Sequence, residues 1–252
     1  MISAVLTNFL NSNCVQNIIV NLPSPVKNIL KKSLYWTRSN LQYRSTPKMY
    51  CPYCGNWSHF LPFGNPSRPM ALCPHCESLE RHRGLYNIYQ EIFLHRVDPL
   101  NIYHMAPERC IYDLITKYEN INYITGDLNP SNYSFAKNCK LVDVTNMPFP
   151  NGYFDIILSN HVMEHIPDEN KFLEEMDRVL KSSGTIILTV PFFKELEFTL
   201  EDPQINTPEL RLQYYGQEDH VRKYGRDIST KLEKYFSVTY VDDPNGDGLG
   251  NG

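Results

Sequence analysis

The first 76 residues contain no aspartate or glutamate. They carry Lys27, Lys31, Lys32, Arg38, Arg44, Lys48 and Arg68, a formal +7; all 28 acidic residues lie beyond them with the other 17 basic ones, a formal −11. The net charge of −4 therefore hides two parts suited to different partners. Also missing is the long apolar run of a membrane span. Met1 to Val26 is uncharged, but Asn, Ser, Thr and Gln break it every few residues, and no basic stretch opens it as in a secretion signal. The expectation is a chain made and kept in the cytoplasm. Only 12 Gly and 18 Pro occur among 252 residues, which excludes collagenous and low-complexity chains, and 42 % hydrophobic residues exclude a wholly disordered one. The length suits one large domain, or a smaller domain with a module beside it.

Seven cysteines remain, and four are spaced in pairs. Cys51-Pro-Tyr-Cys54 and Cys73-Pro-His-Cys76 are two CxxC knuckles, each offering half of a tetrahedral zinc site. Gly55 suits a knuckle turn at positive φ, and Leu61 to Pro69 reads as a loop of a zinc ribbon. Disulfides or a redox CxxC are the alternatives; a cytosolic chain opposes the first and the duplication opposes the second. Four ligands leave no open position, so this Zn²⁺ is expected to be structural. Cys14, Cys110 and Cys139 have no partner spacing and read as core or surface thiols.

A helix is expected from Glu77 to His95, with Leu85, Ile88, Tyr89, Ile92 and Phe93 on one face. Arg81-His82-Arg83 at its start reads either as an anion site or as a solvated turn bridged to Glu77 and Glu80. Beyond residue 98, short apolar runs alternate with helical spacing. The runs are Asn101 to Met105, Ile121 to Ile124, Leu141 to Val144, Phe154 to Leu158, Thr185 to Val190 and Ser237 to Val241, the pattern of βαβ units on a parallel sheet. Before the fifth run, Phe172, Leu173, Met176, Val179 and Leu180 form one helical stripe, with Asp168 and Glu169 in the first turn and Gly184 past the end. Ile228, Leu232, Tyr235 and Phe236 mark another helix.

This is an α/β fold, an open doubly wound Rossmann-like sheet, and ligands of such sheets bind beyond the carboxyl ends of the strands. His104, Ala106 and Glu108 stand at the first end, Asp127 at the second, Asp143 at the third, and Ser159, Asn160 and His161 at the fourth. A carboxylate such as Asp127 can accept one bond from each of two ribose hydroxyls; the alternative is a turn aspartate before Asn129-Pro130.

The run from Leu141 through Asn146-Met-Pro-Phe-Pro-Asn-Gly-Tyr-Phe154 and Ser159-Asn-His-Val-Met-Glu-His165 to Asp168, continued by Arg178-Val-Leu-Lys181 and Thr185 to Pro191, resembles class I S-adenosylmethionine-dependent methyltransferases of the type 11 subgroup. The likeness extends from Asn101 to Asp243. The preceding ribbon, the Ala106-Pro-Glu108 turn and Tyr215-Gly-Gln-Glu-Asp-His-Val-Arg-Lys-Tyr-Gly225 resemble a branch with an N-terminal zinc ribbon. The resemblance implies methyl transfer without naming the acceptor. It implies that Asp127 holds the cofactor ribose, Asp143 and Val144 meet the adenine, and Ser159 and Asn160 lie by the methionine portion. It departs at the first strand end, where His104, Ala106, Pro107 and Glu108 replace an acidic residue and a Gly-rich turn, so Glu108 is expected to supply the carboxylate. No GxGxxG follows the first strand, which opposes a nicotinamide enzyme. The other class is a ribbon-based binding or adapter protein with a degenerate cofactor site, separated from an enzyme by cofactor titration.

Two histidines are catalytic candidates. His161 at the mouth of the fourth strand is read as a base or acceptor-orienting residue, or else as a helix-start residue, with His220 second; His165 is read as packing near Asp168. The expected division is a basic, partly helical segment 1–48, a ribbon 49–78, a connecting helix 79–98, a methyltransferase domain 99–243 and a flexible tail 244–252. In the first segment Ser24 and Pro25 open a helix whose Val26, Ile29, Leu30 and Leu34 share a face. That face docks on the acidic domain, or else the segment meets an anionic membrane surface, nucleic acid or glycan.

Overall fold

The computed structural model describes residues 24–64, 66–94 and 98–241. The readings on the uncharged opening up to residue 23, on Cys14 and on the tail from residue 244 lie outside the described residues. The chain divides into two units: residues up to Tyr89 with Arg109–Leu114, and Gln90–Glu108 with the residues from Ile115 on.

The first unit begins with helix α1, Ser24–Thr37, and a π-helical turn, Arg38–Gln42. Two antiparallel hairpins follow: β1 (Lys48–Cys51) with β2 (Asn56–His59), and β3 (Leu61–Phe63) with β4 (Arg68–Leu72). Leu61 to Pro69, expected as a loop, thus supplies two strands. One apolar cluster here is Leu61, Leu72 and Leu79, with Tyr35 and Tyr43 packed against it; Tyr53, Phe60, Leu85, Tyr89 and Ile111 are also buried in this unit. Val26, Ile29 and Leu30 of α1 are exposed, so the expected stripe is not core.

Helix α2, Glu80–Leu94, starts three residues later than the periodicity predicts. Glu77 is spent on the second knuckle, where φ is +64° and its N–H donates to the Cys73 carbonyl at 3.0 Å. Arg81-His82-Arg83, read either as an anion site or as a solvated turn, is only partly solvated. Glu77 pairs with Lys31 and Glu80 with Arg68. His82 is buried, and Arg83 donates to the carbonyls of Ala71 and Ser78 while its guanidinium lies 4.6 Å from the Phe60 ring centre.

The second unit is built on five parallel strands: β5 (Leu100–Met105), β6 (Ile121–Asp127), β7 (Lys140–Leu141), β8 (Phe154–Asn160) and β9 (Leu180–Thr189). Their order is β7-β6-β5-β8-β9, so the winding reverses between β5 and β8, the place where open α/β sheets hold ligands. Helix α3, Arg109–Ile115, follows β5 in the chain but belongs through Leu114 to the first unit, and α4, Glu169–Val179, precedes β9. Asp168 caps α4 by accepting from the Lys171 N–H at 3.0 Å. Phe172, Leu173, Met176 and Val179 are then buried with Tyr103, Met105 and Ile157. Each such side chain contributes roughly 1.5–3 kcal/mol as an upper estimate. Short helices α5, Pro208–Tyr215, and α6, Ile228–Leu232, complete the unit. Among the described residues no helix is long and apolar enough to cross a membrane.

Four expectations are corrected here. The run Leu141 to Val144 is a strand only through Leu141, because Asp143 folds back to accept from the Thr145 N–H and hydroxyl. Gly184 does not end α4: Leu180 is already extended and pairs with Phe154, and the next register pair is Ile156 with Thr185, so Lys181 to Gly184 bulge out. The helix at Ile228 stops at Leu232, and Tyr235 and Phe236 reach the core from a turn. Ser237 to Val241 forms no strand, with Tyr240 and Val241 exposed.

Candidate functional site

The carboxyl ends of the strands gather most of the expected residues. Asp127, half-buried at the last position of β6, accepts from the Asn129 N–H at 2.6 Å and from the Tyr133 hydroxyl at 3.0 Å. It is therefore a turn aspartate, and its two oxygens, with one donor each, keep lone pairs for further donors. Asp143 is exposed after β7, held below the usual carboxylate range by the Thr145 hydroxyl and N–H, and Val144 beside it is buried.

Across β5, β6, β8 and β9 runs a polar chain. His104 is fully buried, with Nδ1 2.6 Å from the Tyr123 hydroxyl and Nε2 2.8 Å from Glu108 Oε2. That Glu108 oxygen also accepts from Asn160 Nδ2 at 3.3 Å, and Asn160 Oδ1 accepts from Thr189 Oγ1 at 3.2 Å. His104 thus stands behind Glu108 and orients it. Ser159 is buried, and its Oγ has no partner among the described residues. Such an orphaned hydroxyl costs free energy unless something else meets it.

Two residues at these ends have left-handed backbones. Ala106 has φ +45° directly after β5, its N–H donating to the Gly126 carbonyl at 3.0 Å, so the turn takes the conformation that glycine adopts without strain. His161 has φ +52° after β8 and donates its N–H to the Thr189 carbonyl at 2.8 Å. Strained backbone of this kind clusters at functional positions.

His161 Nδ1 lies 3.2 Å from Oε1 of Glu164, a carboxylate only 1 % exposed. His165, expected to pack near Asp168, has its Nδ1 3.3 Å from Asp219 Oδ2, and its ring meets that of His220 edge-on at 4.7 Å. His220 is buried, and burial lowers its pKa.

The clamp on this segment was not foreseen. Arg222, 1 % exposed, donates to the carbonyls of Met163, Ile166 and Pro167 and to the Glu201 carboxylate, while the Val221 N–H donates to the Glu164 carbonyl at 2.9 Å. The resembling run Tyr215 to Gly225 contained Arg222 and His220, but nothing in its spacing said what they would hold.

In the first unit the four knuckle cysteines meet. Cys51 and Cys76 sulfurs are 3.5 Å apart, those of Cys54 and Cys73 3.7 Å, and all four cysteines are free. A disulfide needs about 2.05 Å, whereas a tetrahedron of ~2.3 Å zinc–sulfur bonds has edges of about 3.8 Å. The two turns match: Gly55 and Glu77, at φ +70° and +64°, donate to the carbonyls of Cys51 and Cys73. Hydrogen bonds from Cys51, Cys73 and Cys76 pull the Cys54 thiol far down, and the pKa values of Cys73 and Cys76 rise in response. Four cysteine sulfurs at this spacing form a group that could hold a metal ion.

Residues 112–188 match the protein family described as the methyltransferase domain. That stretch covers β6 to β9 and the His161–His165 segment. Curated proteins match over short stretches. The chain is 44 % identical over 54 residues to ajmaline N-methyltransferase of Rauvolfia serpentina, 21 % of this chain and 19 % of that protein. It is 39 % identical over 49 residues to the chloroplastic tocopherol O-methyltransferase of Arabidopsis thaliana, 19 % of this chain and 14 % of that one. The chain thus spans under a fifth of the length of these relatives. A solved S-adenosylmethionine-dependent methyltransferase from Archaeoglobus fulgidus superposes with a TM-score of 0.44 at 16 % identity, over 64 % of this chain and 69 % of that one.

Proposed function

We propose that the protein transfers a methyl group from S-adenosylmethionine to an acceptor held beside His161. The observation that supports this reading best is that the methyltransferase-domain stretch runs through strand ends carrying Asp127, Asp143, Ser159 and Asn160. Bound S-adenosylmethionine supplies a methyl group on a positively charged sulfur. Asp127 would accept from the ribose hydroxyls, Asp143 and Val144 would border the adenine, and the orphaned Ser159 hydroxyl and Asn160 would meet the methionine portion. His104, Ala106 and Glu108 would shape the first turn, with Glu108 as its carboxylate. In-line displacement mainly needs alignment, so His161, backed by Glu164, would orient the acceptor and take its proton where one must leave; His220 is the second candidate. The cavity of about 530 Å³ beside α4 is a weaker candidate, because Arg222 and Lys231 in its lining are already paired with Glu201 and Glu169. The test is calorimetric titration with S-adenosylmethionine. Asp127→Ala is expected to weaken binding by about 1.5–3 kcal/mol, the size of hydrogen bonds to a charged group; unchanged affinity removes Asp127 from the site, and no binding by the parent favours the adapter reading.

The cysteine cluster would hold one structural Zn²⁺ through Cys51, Cys54, Cys73 and Cys76, and free thiolates fit the cytoplasm. The front segment would bring the enzyme to an anionic membrane surface. Val26, Ile29, Leu30, Trp36 and Leu41 are exposed, and so are Lys32, Arg44 and Lys48, the combination that anionic lipid attracts. Co-sedimentation with phosphatidylserine vesicles should fall with added salt and in Ile29→Ser/Lys32→Glu; retention by duplex DNA instead of vesicles would replace this partner with nucleic acid.

A further inference from the structure

Glu164, His165 and His220 each offer a ligand atom, and these atoms all lie within 4.8 Å of one another. We propose that they bind a divalent transition-metal ion, a site separate from the cysteine cluster.

The chemistry of the set comes first. Two imidazoles and one carboxylate suit a borderline divalent ion such as zinc, cobalt or iron(II), and three protein ligands leave positions open. The second observation is the state of the carboxylate. Glu164 is 1 % exposed, yet its Oε2 has no partner among the described residues, while Oε1 faces His161. A buried carboxylate oxygen left unmatched is costly, and a cation in the cluster would satisfy it. The third is orientation. His165 has Nδ1 at the Asp219 carboxylate, which directs Nε2 elsewhere, the arrangement by which an outer carboxylate fixes a metal-binding imidazole.

The ligands are also held in place. Glu164 follows the strained turn at His161, its carbonyl is bonded by Val221, and Arg222 fastens the carbonyls on either side of it. His220 is the residue before this pair, so the clamp that fixes Glu164 sets His220 against it. A spread of up to 4.8 Å is wider than the roughly 3–3.5 Å between atoms sharing an ion at about 2.1 Å, so binding draws the three inward by about an ångström. His161, 28 % exposed, gives the site its side toward solvent. The open positions of the ion would take water or an oxygen of the acceptor. That last step rests on the methyl-transfer reading, whereas metal binding stands without it.

The experiment loads metal-stripped full-length protein with Co²⁺ and follows absorption and metal content per chain. Cobalt on cysteine sulfur gives intense charge-transfer bands and cobalt on nitrogen and oxygen gives only weak d–d bands, so the two sites are read separately. The parent is expected to take up one cobalt without charge-transfer intensity. Glu164→Gln, which keeps size and burial, should lose that equivalent and leave the thiolate bands unchanged. Asp219→Asn, at a residue whose side chain is 70 % exposed, should fold as the parent does and bind this cobalt about tenfold more weakly. Cobalt uptake by the parent on thiolates alone overturns the proposal, and so does equal affinity in parent and Asp219→Asn. Neither result touches the S-adenosylmethionine titration.

Discussion

Tyr103 shows how much a single buried atom can decide. Its ring fills the core between Phe149 and Phe154, but the hydroxyl has no partner among the described residues, and burial pushes its pKa up. Gly126 on the neighbouring strand makes room for it: a Cβ there would stand 2.7 Å from that oxygen. Removing the hydroxyl takes away an unmatched polar group and leaves the ring contacts. Tyr103→Phe is therefore expected to raise stability by about 1 kcal/mol, seen as a higher urea midpoint at unchanged slope. A lower midpoint would mean that the folded protein bonds this hydroxyl. None of this was legible in the sequence, where Tyr103 was one apolar position in a run. Strand-end residues such as Asp127 and Asn160 were legible, because a period of two and the end of a run fix them locally. The meeting of Glu164 with His220 was not, because no local period reports a contact 56 residues apart.

At the level of elements, α4 carries the clearest agreement and the clearest miss. Its cap and stripe follow from Asp168 and the 3.6-residue spacing. Its end does not: Gly184 looked like a C-cap, but pairing of Leu180 with Phe154 overrode that signal. Arg178 near this end does more than face water. It donates to the carbonyls of Met147 and Phe149 and to Asn151, and it pairs with Glu175, whose Oε2 accepts from the Met147 N–H. Helix and the segment Met147 to Asn151 are thereby fastened together. Arg178 holds the Glu175 carboxyl below the usual range, so its contribution is present above the ordinary glutamate pKa and is lost as pH falls through the lower folded value. Glu175→Gln is expected to cost about 1–2 kcal/mol near neutral pH. Urea midpoints of parent and variant should converge in acid; a gap that persists there would show that charge is not what Glu175 contributes.

For the molecule as a whole, the contrast between its two cores sets the expected order of unfolding. The second unit has a five-stranded sheet and a large apolar cluster, whereas the first has two separate two-stranded hairpins, about which Phe60, Leu61, Leu72 and Leu79 are buried and four cysteines meet. Two-stranded hairpins are marginal by themselves, and a four-thiolate zinc site would supply further folding free energy. Its charge points the same way, since a segment with seven basic residues and no carboxylate before Glu77 gains nothing from internal ion pairing until Glu77 and Glu80 reach Lys31 and Arg68. Both tryptophans of the chain, Trp36 and Trp57, lie in this first part, so their fluorescence reports on it alone. Chelation of zinc, or Cys73→Ser, is expected to shift tryptophan emission and to abolish its cooperative change on heating. The calorimetric transition of the sheet unit should remain. Unchanged tryptophan melting after zinc has been removed, checked by metal analysis, would mean that the hairpins are held by Leu61, Leu72 and Leu79 without the metal.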